Sequence, residues 1–288
     1  MKIGLSSYSL SQAMNTGEMT ILDAIQWVAD QGGEHIEIVP MGELDLIEKP
    51  ELIEQIKEKA KSAGIEISHY LIGANFITES REAFEAEIAR VKQHVDIAHQ
   101  LGVNRMRHDV AWRSGADTTI AQFEKDLPLL VEACQQIADY AQQYDITTSI
   151  ENHGLYVQAS DRVQRLLNEV NRDNFKTTLD VGNFMCVDEN SVVAVKKNLP
   201  FASFVHFKDF YWRPSYQNPG DGWFQTVNGN FLRGAIVGHG DIDMREVVKV
   251  VKDSGYDGYI SVEFEGMEDC KKGSKIGMEN VRRFFEEA

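Results

Sequence analysis

Cysteine is scarce in this chain: there are three, Cys134, Cys186 and Cys270, an odd number set far apart. That excludes a disulfide framework and any CxxC metal or redox site. Proline is scarce too, six in 288 residues, and no Pro/Ser-rich linker divides the chain. Long apolar runs are missing. Nothing approaches the ~20 residues that a membrane span needs, and the apolar start is too short for a signal peptide. Basic residues are outnumbered, 29 against 45 acidic, for a net charge of −16. Such a surface repels phosphate backbones and anionic membranes, so neither nucleic acid nor membrane is an expected partner. No GxGxxG or GxxxxGK[ST] follows any strand-like run, so a nucleotide crevice has no support. The expectation is a soluble, cytoplasmic, globular protein.

What the chain does contain is a core and a rhythm. Hydrophobic residues make up 43%, enough to bury a sizeable interior. Eight short apolar runs, at residues 2–9, 35–40, 65–72, 105–111, 147–153, 175–183, 201–210 and 258–266, alternate with segments of helical period. Thr20 with Asp23 forms a capping-box pattern, and Gly32-Gly33, Gly64 and Gly102 stand where helices should stop. Pro128 falls inside a helical pattern and is expected to kink or restart it. Strict β-then-α alternation implies parallel strands with crossover helices. Eight such units close into a barrel, so the expected fold is an α/β (β/α)8 TIM barrel, one domain over residues 1–288. The longest non-periodic piece, residues 211–241, carries six glycines and two tryptophans and reads as a loop able to close over a site.

Active sites in such barrels sit at the C-terminal ends of the strands, and here those ends are crowded with polar residues. Glu151, Asp180, His206 and Glu263 fall one on each of the last four strands. Three carboxylates and one imidazole make a hard, mostly oxygen site for one divalent ion; the set suits Mn²⁺, Mg²⁺ or Co²⁺ and also accommodates Zn²⁺. Around it, His69, His108, His153, Asn183, Lys208, Arg213 and His239 are candidate substrate contacts. Glu37 and Glu265 read as rim ion-pair partners within reach of substrate, and Phe76 and Trp112 as barrel-cap packing or a wall for a sugar face.

The segments Ser149-Ile150-Glu151-Asn152-His153, Leu179-Asp180-Val181-Gly182-Asn183, Val205-His206-Phe207-Lys208-Asp209 and Ser261-Val262-Glu263 resemble the sugar phosphate isomerase/epimerase family. With the turn Gly238-His239-Gly240-Asp241-Ile242-Asp243, the resemblance to this xylose isomerase-like TIM barrel superfamily covers essentially the whole chain. It implies metal positions at Glu151, Asp180, His206 and Glu263, and a proton-transfer pair at Glu151 and Glu263. Asn183 and Val157 replace a histidine and a glutamate that ketose 3-epimerases use on substrate, which counts against that assignment. The expected activity is a metal-dependent isomerase or epimerase of a sugar or other polyhydroxylated carbonyl compound, working through proton abstraction and a metal-stabilised ene-diolate. The alternatives are a lyase or dehydratase (of the inosose dehydratase or 3-oxo-glycoside-eliminating kind) using the same site, and a non-catalytic sugar-binding barrel. The expected partner is a small carbohydrate; a homo-oligomer is left open.

Overall fold

A computed structural model describes residues 1–42, 44–113 and 117–288. In chain order its strands are β1 (Lys2–Ser6), β2 (His35–Ile38), β3 (Glu66–Ile72), β4 (Arg105–His108), β5 (Thr147–Glu151), β6 (Phe175–Asp180), β7 (Ala202–Phe207), β8 (Asp209–Arg213), β9 (Phe224–Gln225), β10 (Phe231–Ala235) and β11 (Tyr259–Val262). The helices are α1 (Ser11–Asn15), α2 (Ile21–Asp30), α3 (Glu51–Ala63), α4 (Arg81–Leu101), α5 (Ile120–Ala141), α6 (Ser160–Val170), α7 (Ser191–Asn198), α8 (Met244–Asp253) and α9 (Cys270–Glu287). β1 to β7 and β11 form a closed barrel, and every neighbouring pair is parallel. The expected TIM barrel is what the chain forms. No helix among the described residues is long and apolar enough to cross a membrane.

Alternation along the strands separates two environments. Leu5, Ile36, Tyr70, Met106, Ile150, Leu179, Val205 and Ile260 are buried in the core that the strands share with the surrounding helices. The residues next to them point to the axis, because side chains alternate across a strand. The interior is unusually polar. His206 on β7 bonds Glu37 on β2, and these strands are not neighbours, so the bond crosses the barrel.

Local signals set the helix ends. The capping box Thr20–Asp23 is present in full, and Gly64 and Gly102 end α3 and α4 in the left-handed region. Two expectations need correction. α5 runs unbroken through Pro128. Proline there removes one intrahelical bond, but it stands on the exposed face, where water can take the carbonyl it leaves open. Residues 211–241 are not a plain loop either: β8, β10 and β9 build a three-stranded antiparallel sheet. Phe210 and Leu232 bury its inner face with Cys186, and its short strands lie between turns rich in glycine.

Candidate active site

The C-terminal ends of β5, β6, β7 and β11 bring Glu151, Asp180, His206 and Glu263 together, with one ligand atom of each within 4.8 Å of the others. All four are buried. Asp180 is fixed by its own turn: its Oδ1 accepts from the backbone N–H of Gly182 at 2.7 Å and of Asn183 at 2.8 Å. Gly182 has no room for a side chain, since a Cβ would stand 2.7 Å from the Lys208 carbonyl oxygen. The other oxygen, Asp180 Oδ2, and His206 Nδ1 are buried without a hydrogen-bond partner. His206 Nδ1 lies 3.8 Å from Glu151 Oε2 and 3.9 Å from Glu263 Oε2. Leaving buried polar atoms unpaired costs roughly 1–3 kcal/mol each. Two such atoms aimed into one group of carboxylates fit a divalent cation, with these four residues as its ligands. The donor set also fits: three oxygens and one nitrogen suit a hard or borderline ion.

The side chains around the cluster carry the compensating charge. Lys208 lies 2.6 Å from Glu263, 3.4 Å from Glu265 and 3.5 Å from Asp180, and it is almost fully buried. Burial opposes its charged form, but Asp180 and Glu263 outweigh that and hold the ammonium well above its ordinary range. Arg107, on β4, sits 2.7 Å from Glu151 Oε2 and 3.2 Å from Asp109. Burial would raise Glu151, yet the Arg107 guanidinium and His206 hold it well below the usual carboxylate range. Burial pushes Asp180 up to about 6, with Lys208 pulling the other way and Glu151 and Glu263 adding to the rise. At His206, burial disfavours the imidazolium, but Glu37 and Glu263 hold its pKa well above the ordinary value.

The two glutamates of the cluster differ. Glu151 Oε1 accepts from Asn183 Nδ2 at 3.0 Å, while Oε2 is ion-paired with Arg107 at 2.7 Å but is buried without a hydrogen bond, and the side chain is 1% exposed. The shortest ion-pair contacts of Glu263, to Lys208 and His206, are at Oε2, and its side chain is 9% exposed.

Of the candidate substrate contacts, the structure joins Asn183, Lys208 and His153 to this group. Asn183 also accepts from Lys208 Nζ at 3.3 Å. His153 is at the rim with Nδ1 3.6 Å from Asp109, which Arg107 links to Glu151. His69 is fully buried beneath the cluster, donating to Glu37. His108 is a correction: it faces the helix layer, bonded to the Asp109 carbonyl and packed against Phe76 and Phe175. Its neighbour Arg107 takes the inward position. Arg213 is paired with Asp241 and stacked on Trp223 at the end of β8, and His239 is exposed in the turn after β10; both lie apart from the cluster. Phe76 packs in the core against Phe84, while Trp112 is 65% exposed. Glu37 is not a rim residue at all. Arg107 is the residue that sequence reasoning missed. The signal was available: Arg105 and Arg107 share a face, and charged residues two apart on a barrel strand both point inward or both outward.

The chain and its fold have known relatives. The chain is 23% identical over 228 residues to an inosose dehydratase of Clostridium perfringens, with 75% of each covered. Its fold resembles the crystal structure of the probable 3-DHS dehydratase AsbF of Bacillus anthracis, with a TM-score of 0.76, 20% identity, and 98% of this chain and 99% of that one covered. It also resembles D-psicose 3-epimerase solved in the presence of D-fructose, at a TM-score of 0.73, 16% identity and 99% of each chain. Residues 25–285 match the model of the family described as xylose isomerase-like TIM barrel, and the chain belongs to that family.

Proposed function

We propose that the protein is a divalent-metal-dependent enzyme that removes the proton α to a carbonyl in a small polyhydroxylated substrate, and that the reaction continues as loss of water. The observation that carries the first step is the convergence of Glu151, Asp180, His206 and Glu263, with two buried unpaired atoms, at the mouth of the barrel. A cation held there supplies Lewis-acid polarisation of the carbonyl. Glu263 is the base: it reaches the mouth, and its shortest ion-pair contacts are at Oε2. Glu151, with the Arg107 guanidinium at Oε2 and the Asn183 amide at Oε1, is a weak proton acceptor and serves to hold the site. Lys208 holds Glu263 in place through the 2.6 Å ion pair at Oε2. Asn183 and His153 line the approach and offer hydrogen bonds to hydroxyl groups.

One effective base suits elimination, in which a single proton is lost and a neighbouring hydroxyl departs. The name of the curated relative, inosose dehydratase, supports the same outcome. The order of the two outcomes is thus the reverse of the one the sequence suggests. Isomerisation or epimerisation remains the second reading, favoured by the presence of Glu151 as a second carboxylate within the same cluster. The test is incubation of Mn²⁺-loaded protein in D₂O with a panel of inososes, 3-oxo sugars and ketoses. An absorbing unsaturated product is expected. Deuterium in an epimer or isomer, without absorbance, would assign the second reading. Tight binding with neither product nor exchange across the panel would leave a sugar-binding barrel.

A further inference from the structure

Below the mouth of the barrel, His206 is held by groups that the reaction above does not use. Its Nε2 donates to Glu37 Oε2 at 2.9 Å, and the same oxygen accepts from His69 Nδ1 at 2.9 Å. All three side chains are fully buried. They come from β7, β2 and β3, so the assembly spans the barrel. Phe204 fixes both rings: His69 stacks on it at 4.5 Å, and His206 meets it edge-on at 5.7 Å and 82°. A carboxylate taken out of water costs several kcal/mol unless its charge is well met. Here one buried oxygen orders two imidazoles, and the arrangement decides which nitrogen of His206 is free. With Nε2–H committed to Glu37, Nδ1 is the ring nitrogen left to face the cation site. That is the atom facing Glu151 and Glu263 without a hydrogen bond.

We propose that Glu37, braced by His69, is the positioning residue for His206: it fixes the ring plane and the Nε2–H tautomer, so that Nδ1 is presented to the cation. The inference rests on the metal reading of the site given above, and it adds two residues that are neither ligands nor substrate contacts. A carboxylate behind a ligating imidazole also makes that imidazole a stronger donor, and losing such a partner typically weakens metal binding about 10–100-fold. Glu37→Gln keeps the shape and one acceptor oxygen but loses the charge; Glu37→Ala loses both. His69→Phe keeps a ring against Phe204 and removes the brace.

The experiment is titration of Mn²⁺, followed by the electron paramagnetic resonance signal of the free ion, into wild type, the three variants and Asp180→Ala. Melting temperatures of the metal-free proteins are measured alongside. The expected result is Mn²⁺ affinity lowered about 10-fold in Glu37→Gln and about 100-fold in Glu37→Ala, with a smaller loss in His69→Phe and no stoichiometric binding in Asp180→Ala. Should Glu37→Ala fail to fold, the isosteric Glu37→Gln carries the test. Glu37 variants that bind Mn²⁺ with wild-type affinity while Asp180→Ala does not would overturn the proposal. So would a drop in metal-free melting temperature with unchanged affinity, the signature of a packing role alone. Wild type that takes up no Mn²⁺ would overturn the metal reading itself, before any variant is compared.

Discussion

Glu151 and Glu263 share one cluster but not one environment, and single substitutions separate their roles. Glu263→Gln removes the base while keeping its size. Turnover should fall roughly 10²–10⁴-fold, with metal binding little changed. Glu151→Gln puts an amide opposite Arg107 and Asn183, so metal affinity and substrate KM should suffer more than the proton-transfer step. Single-turnover kinetics at metal saturation distinguishes the two. Equal losses in the chemical step for both variants would point to a two-base epimerase. Asp180→Ala or His206→Ala should abolish the EDTA-reversible rise in melting temperature that Mn²⁺ gives wild type, because ligand binding to the folded state alone stabilises it. Retained stoichiometric binding in either variant would remove the proposed site. The convergence of Glu151, Asp180, His206 and Glu263 was legible in the sequence because each falls at or beside a strand end and the polar residue type is out of place in a core. Depth itself was not legible. Glu37 and His69 read as strand ends in the sequence, but they lie within β2 and β3, under the cluster, and packing around Phe204 shows it.

Between β8 and the turn before α8, one carboxylate organises an element. Asp209 accepts from the backbone N–H groups of Gly238 and Gly240 at 2.9 Å each, of Phe210 at 2.9 Å and of Ile242 at 3.4 Å. Gly240 is required there: a Cβ would stand 2.2 Å from Asp209 Oδ1 and 2.6 Å from the Phe210 carbonyl. Gly240→Ala should therefore cost roughly 1–3 kcal/mol, as overpacking of a tight site does, and detach the turn from β8. Thermal unfolding checks the first effect, and proteolytic nicking of residues 211–241 checks the second. An unchanged melting temperature would show that the turn can move aside. This element was half legible. Six glycines in 31 residues hid the pairing, because strand signals over five residues are weak when turns interrupt them. The alternation in Asp209–Arg213 and Phe231–Ala235 becomes meaningful only when both segments lie beside Cys186.

On the scale of the molecule, the fold holds His35 and His108 buried in neutral form, unlike His206. His35 bonds Ser68 Oγ at 2.8 Å and the Ile260 carbonyl at 3.1 Å, and burial pushes it down to about 4; burial does the same to His108. The folded state refuses a proton that the unfolded chain accepts near pH 6.5. Their contribution to stability is complete above about pH 6.5 and is lost as pH falls towards about 4. These two histidines should thus lower stability between pH 7 and pH 5, against the opposite contribution of Asp180 and His206, whose folded-state pKa values are raised. His108→Phe should be less stable at neutral pH yet lose less over that interval; a slope equal to wild type would mean His108 already carries its proton in the fold. The eightfold alternation was fully legible, since period and length suffice to distinguish strand from helix in parallel barrels. Closure has a further consequence, in time rather than in space. β1 is sealed by β11, residues 2–5 against 259–262, so the sheet has an open edge until nearly the whole chain is made. Glu151, Asp180 and His206 emerge first and Glu263 last, one residue beyond the sealing strand. The residue that completes the cluster is thus delivered by the same step that closes the barrel, and until then the growing chain holds three of its four members.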